Sequence, residues 1–113
     1  MKAAELPLRY NAIDILERNL RERAGEVALA SESRTMTFAE VSVEVNRTAN
    51  ALARLGVRRG DTVALLAPDS AEWVATFFAV IKLGAVVASF NTLLTPAEYA
   101  YMLDDCGARV LVV

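Results

Sequence analysis

No histidine occurs in the 113 residues, which removes imidazole general bases, His-based triads and His metal ligands together. The single cysteine, Cys106, leaves no internal disulfide, no CxxC redox pair and no zinc pattern. A lone thiol suits a reducing compartment. Glycine is scarce, with five in all, and neither GxGxxG nor GxxxxGK[ST] occurs anywhere. Long apolar runs are missing too. The longest uncharged stretch, residues 83–97, is too short to span a bilayer and contains Asn91 and Pro96. The first 13 residues include Glu5 and Arg9 and have no apolar signal-peptide core, so a cytoplasmic protein is expected.

An excess of positive charge is also lacking. Twelve Lys and Arg face 14 Asp and Glu, for a net charge of −2, which argues against nucleic acid as a partner. Ten of the twelve cations lie at or before Arg59, but eight acids share that half, so the charges read as a solvated surface. What remains is a chain 55% hydrophobic and 23% charged. That is a globular composition, of a length that suits one domain or part of one.

The apolar residues fall into a regular order. Residues 11–23 predict a short helix with Ile13, Leu16 and Leu20 along one side, stopped by Gly25. Residues 27–30 and 34–36 predict the two arms of a hairpin. Thr37-Phe38-Ala39-Glu40 is a capping box opening a helix to about Leu55, with Val41, Val45, Ala49 and Leu52 on one face. Residues 62–67 predict a strand. A helix follows from an Asp69 or Ser70 cap to Leu83, and its apolar residues cover more than one face, so it is expected to be largely buried. Residues 85–90 predict the next strand. Thr95-Pro96-Ala97-Glu98 is a second capping box, with proline at the favoured first position, and its helix ends near Cys106 before Gly107. Residues 109–113 predict a further strand.

From Thr62 the order is therefore strand, helix, strand, helix, strand. Strands apolar throughout belong to a parallel sheet covered on both faces. The fold class expected is α/β, an incomplete doubly wound sheet with helices on both faces. Val110-Leu111-Val112-Val113 reads as an interior strand, and the pattern predicts a domain that continues past it. Unpaired, that strand is also a candidate edge for pairing with a second copy.

In such folds ligands sit at the carboxyl ends of strands. Two loops there are visible, residues 67–70 and 91–95. Neither contains glycine, and acids stand at or near both helix starts, which disfavours phosphate binding. Asp104 and Asp105 are adjacent and point about 100° apart on a helix, so they form no catalytic dyad. Ser70 and Ser89 have no base and read as cap and strand residues. Arg54, Arg58 and Arg59 flank Gly56 as a small basic cluster, an anion contact or an exposed turn. Trp73, Phe77 and Phe78 read as core rather than pocket, and Cys106 as a small buried hydrophobe. No catalytic, cofactor-binding or metal-ligating residue is assigned.

Several blocks carry a resemblance. Residues 37–40, Asn46-Arg47-Thr48-Ala49-Asn50-Ala51-Leu52, Leu55-Gly56-Val57-Arg58-Arg59-Gly60-Asp61-Thr62-Val63-Ala64 and Phe78-Ala79-Val80-Ile81-Lys82-Leu83-Gly84-Ala85-Val86 are similar to the N-terminal region of adenylate-forming acyl-CoA and aryl-CoA synthetases. Asn91-Thr92-Leu93-Leu94-Thr95-Pro96-Ala97-Glu98-Tyr99-Ala100-Tyr101-Met102-Leu103 resembles the benzoate-CoA ligase branch. The resemblance implies ATP, Mg²⁺ and CoA as cofactors and a carboxylic acid as substrate of a complete enzyme. The family's phosphate loop, adenylate-binding motif and C-terminal lysine all follow this segment in order, and nothing here matches them. The segment alone is expected to be an inactive scaffold that binds none of these cofactors. The alternative from another class is a self-associating assembly module without catalysis.

Overall fold

A computed structural model describes residues 2–113. Helix α1 (Asp14–Arg23) leads into a hairpin of β1 (Val27–Ala30) and β2 (Thr35–Thr37). Then come α2 (Phe38–Arg54), β3 (Thr62–Leu65), α3 (Ala71–Lys82), β4 (Val86–Ser89), α4 (Pro96–Cys106) and β5 (Val110–Val112). The α1 helix begins three residues later than its apolar spacing predicts. Asn11 turns the chain there, its Oδ1 accepting the Ile13 N–H at 2.9 Å.

Both capping boxes form. Thr37 Oγ1 accepts the Glu40 N–H at 3.2 Å, while a Glu40 carboxylate oxygen accepts the Thr37 N–H at 2.8 Å. The four α2 residues expected on one face, Val41, Val45, Ala49 and Leu52, are all buried. Ser70, not Asp69, caps α3, accepting the Trp73 N–H at 3.1 Å. Gly107 closes α4 in the left-handed conformation at φ 59°, where a Cβ would be strained.

β1 and β2 pair antiparallel, and the remaining strands form a parallel sheet in the order β4-β3-β5. The β3–α3–β4 crossover steps one way across the sheet. The β4–α4–β5 crossover steps back past β3. Right-handed crossovers in opposite directions place α3 and α4 on opposite faces. β3 is accordingly buried on both, with Val63 and Ala64 fully covered and Leu65 only 1% exposed. α3 packs on β3 and β4, α2 packs on α3, and α1 and the hairpin pack on α2. The core joins Ile13, Leu16 and Met36 to the α2 face, to Val57 and Val63, and to Ala71, Ala75, Ala79 and Val80.

Three expectations are corrected. The α3 helix buries its small residues most deeply, Ala71, Ala75, Thr76, Ala79 and Val80, while Trp73, Phe77 and Phe78 are half-buried. Alanines at i, i+4 and i+8 let α2 approach closely; Phe78 still packs against the core from its edge, as expected, while Trp73 and Phe77 are left at the flank. Second, β4 and β5 are edges, so Val86 and Leu111 stay 54% and 41% exposed despite their interior-like sequence. Third, Cys106 is half-buried, its thiol 3.7 Å from the Leu103 carbonyl oxygen, because α4 buries no residue fully.

Candidate functional site

The neighbouring strands β3 and β4 send their helices to opposite faces of the sheet. The loops leaving their carboxyl ends therefore part, and a crevice opens between them. Doubly wound sheets bind ligands beyond the carboxyl ends of their strands. A cleft of about 390 Å³ lies there, lined by Ala67, Pro68, Asp69 and Trp73 from one side and Ser89, Phe90, Asn91 and Thr92 from the other.

Its floor is fixed by backbone pairing. The Phe90 N–H donates to the Leu65 carbonyl at 2.9 Å, and the Leu66 N–H to the Val112 carbonyl at 2.9 Å. Its second wall is held by a side chain that sequence reasoning missed. Tyr99, on α4, donates its hydroxyl proton to the Asn91 carbonyl at 2.7 Å and accepts the Leu94 N–H at 3.2 Å. Asn91 Oδ1 also accepts the Leu93 N–H at 2.9 Å. The only local signal was a tyrosine in the first turn of a capped helix, which says nothing about a loop eight residues back. On the other wall the Trp73 ring stacks on Phe77, centroids 5.1 Å apart, and Phe77 meets Phe78 edge-on at 5.7 Å.

The helix starts beside the cleft are already supplied with negative charge. Glu98 accepts the Thr95 N–H at 2.7 Å and the Thr95 hydroxyl at 2.9 Å, and these bonds hold its carboxyl below the usual glutamate range. Glu72, in the first turn of α3, is lowered chiefly by a hydrogen bond from its own backbone N–H and also by Arg34, whose guanidinium stands 3.0 Å away. A phosphate placed at either helix start would meet one of these carboxylates. The residues present do not fit the phosphates of ATP there, and no step through ATP is derived from them.

The other singled-out residues are dispersed. Asp104 and Asp105 are exposed late in α4. Arg54 ends α2, and Arg58 and Arg59 lie at the amino end of the sheet, away from the cleft, in a turn organised by Asp61. That carboxylate accepts the Arg58 N–H at 2.7 Å and stands 3.7 Å from Arg109 Nε. Ser89 is exposed at the cleft edge, and the Ser70 hydroxyl oxygen is engaged as a cap. Among the described residues no group of three or more Cys, Asp or Glu is placed to hold a metal ion. Among them, too, no helix is long and apolar enough to cross a membrane. The cleft can position a ligand between an aromatic wall and a pinned loop; Asp69, Ser89 and Thr92 line it, but among the described residues no hydrogen bond joins Asp69 to either hydroxyl.

A parallel sheet wound on both faces, with a crevice at the carboxyl ends of its strands, is an architecture of ligand-binding α/β proteins. The model of the family described as AMP-binding enzyme matches residues 16–113, and the chain belongs to that family. It is 40% identical over 114 residues to the benzoate–CoA ligase of Thauera aromatica, covering 98% of this chain and 22% of that protein. To the long-chain-fatty-acid–CoA ligase FadD13 of Mycobacterium tuberculosis it is 42% identical over 77 residues, covering 68% of this chain and 15% of that protein. A crystal structure of an anthranilate CoA ligase in complex with anthranoyl-AMP superposes with a TM-score of 0.93 at 59% identity, over 98% of this chain and 22% of that one. The chain thus spans about a fifth of the length of these relatives or less.

Proposed function

We propose that residues 1–113 form the N-terminal part of the large N-terminal domain of an ATP-dependent acid–thiol ligase that acts on an aromatic carboxylic acid. In the complete cytoplasmic enzyme, ATP and Mg²⁺ convert the carboxylate to an acyl-adenylate, and the CoA thiol then takes the acyl group as a thioester. The observation that carries this reading is the 59% identity to the anthranilate ligase along 98% of the chain.

Within that enzyme these residues are a scaffold. β3 and β4 hold two loops apart, Tyr99 fixes one of them, and the Trp73–Phe77 stack stiffens the other side. None of them is assigned a chemical step: among the described residues no hydrogen bond joins Asp69 to the Ser89 or Thr92 hydroxyl in the cleft, and both nearby helix starts carry their own carboxylates. The isolated chain is expected to show no carboxylate-dependent ATP–pyrophosphate exchange with anthranilate or benzoate. Exchange above the blank that requires the acid would overturn the scaffold assignment.

One observation supports a second, compatible reading. β5 is an open edge with Leu111 41% and Val113 82% exposed, which suits strand pairing between two copies of the isolated chain. Light scattering that finds a stable monomer at high concentration would count against it.

A further inference from the structure

A second concavity, of about 740 Å³, opens at the amino end of the sheet, at the opposite pole from the β3/β4 cleft. It is formed by the strap of residues 8–12, the approach to β3, and the exit of α3. Its lining carries three cations, Arg9, Arg59 and Lys82, and no carboxylate. Lys82 is shared with Glu17, just outside the lining, at 3.3 Å. Among the described residues neither Arg9 nor Arg59 makes an ion pair. The geometry points to a binding site here for a polyphosphate-bearing anion, separate from the β3/β4 cleft.

Three observations make this a built site instead of a chance grouping of surface charge. The strap is tied down across 70 residues of sequence, as Asn11 Nδ2 donates to the Ile81 carbonyl at 2.9 Å. The turn bearing Arg59 is tied to the α3 exit by the Gly60 N–H, which donates to the Gly84 carbonyl at 3.0 Å. The Arg59 stem lies directly over Gly84, where an added Cβ would stand 3.1 Å from Arg59 Cγ, at a backbone φ of +74°. Glycine at this position thus serves both the left-handed turn and the close approach of the arginine.

The carboxyl end of a helix normally repels anions. Here the last carbonyls of α3 are largely occupied. Ile81 O accepts from Asn11 and from the Gly84 N–H, Val80 O from the Ala85 N–H, and Ala79 O from the Leu83 N–H. Lys82 and Arg59 sit where cations offset what remains of the dipole. Guanidinium forks match phosphate oxygens in pairs, whereas an ammonium supplies a point charge. Two forks and one ammonium around a cleft of this volume suit a diphosphate better than a single phosphate.

The test is an NMR titration of the chain with inorganic pyrophosphate and, separately, with ATP, at constant ionic strength because exposed charges are screened. Saturable shifts are expected at the amides of Asn11, Arg59, Gly84 and Ala85. Arg9→Gln and Arg59→Gln are each expected to weaken binding roughly tenfold, as a charge-assisted pair is lost while the stem over Gly84 is kept. Arg23→Gln, on α1 and outside the cleft, is the control and leaves the affinity unchanged. Equal affinity for the two probes means that the phosphates alone are read. Tighter ATP binding with the same shifted amides adds a nucleoside contact, and both results sustain the site. A well-dispersed spectrum with no saturable shift at these amides overturns it. So do shifts that persist unchanged in the Arg9→Gln, Arg59→Gln double variant. Shifts confined to Asn91 and Thr92 would place the nucleotide in the β3/β4 cleft instead, and would also overturn this site.

Discussion

Leu65→Ala is expected to lower the unfolding free energy by about 3 kcal/mol, a large part of what a domain of this size has in reserve. Leu65 is among the largest fully buried side chains, at the carboxyl end of β3, the strand paired on both sides. Its neighbours across the sheet are Ser89 and Val112, and its carbonyl accepts the Phe90 N–H at 2.9 Å. The backbone around it is therefore pinned and cannot collapse into the space left by the lost methyl groups. The cost is the lost transfer energy plus a residual cavity. A urea titration reads this as a lowered midpoint at unchanged slope. Leu93→Ala, at a residue 88% exposed, should shift the same curve by less than about 0.5 kcal/mol. A Leu65→Ala midpoint indistinguishable from that of Leu93→Ala would mean that β3 is not the centre of the core.

The second large effect comes from adding volume. Ala79→Leu is expected to destabilise by about 2 kcal/mol or more, although it makes the chain more apolar and leucine is a good helix former. Ala79 is fully buried in a stripe with Ala71 and Ala75, and that stripe is what lets α3 approach its neighbours closely. Three extra carbons there must push α3 away from its surroundings or force a strained rotamer. The same denaturation curve measures it. A neutral or stabilising result would show an unfilled space at the α3 interface and contradict the close packing described here.

Much of this architecture was legible because its signals are local. Thr37 with Glu40, and Thr95 with Glu98, announce their helices within four residues, and both boxes form with both reciprocal bonds. The apolar face Val41, Val45, Ala49, Leu52 follows from a 3.6-residue period alone. The alternation of strand and helix after Thr62 sufficed for a parallel sheet. Less legible was everything set by distant partners. Nothing near Val110 in sequence says that β5 lands beside β3 on the side away from β4, yet that placement makes β3 the central strand. The bulk of Trp73, Phe77 and Phe78 pointed to the core, but only Phe78 packs against it and the alanines fill the contact, because helix approach distance rather than hydrophobicity selects the contact face. The ties from Asn11 to Ile81 and from Tyr99 to Asn91 join elements through single side chains, which no periodicity reports.

At the site, sequence and structure meet unevenly. The loops at residues 67–70 and 91–95 were identified from strand ends, and they do form the two sides of one cleft. That they share a cleft needed the topology. The acids at the helix starts were visible as Asp69 and Glu98, but the engagement of Glu98 by Thr95, and of Glu72 by Arg34 and a backbone amide, needed coordinates. The basic concavity joins Arg9, Arg59 and Lys82, three residues the sequence keeps far apart; only Arg59 stood out beforehand, as part of a different cluster.

The scaffold role is tested most directly by a chimera. The N-terminal segment of the Thauera aromatica benzoate–CoA ligase that aligns with this chain, 22% of that protein, would be replaced by residues 1–113. A purified, folded chimera is expected to form benzoyl-CoA with kcat/KM within about tenfold of the parent ligase, a barrier change of no more than roughly 1.4 kcal/mol. A folded, soluble chimera without CoA-thioester formation would contradict the claim that these residues supply a compatible scaffold.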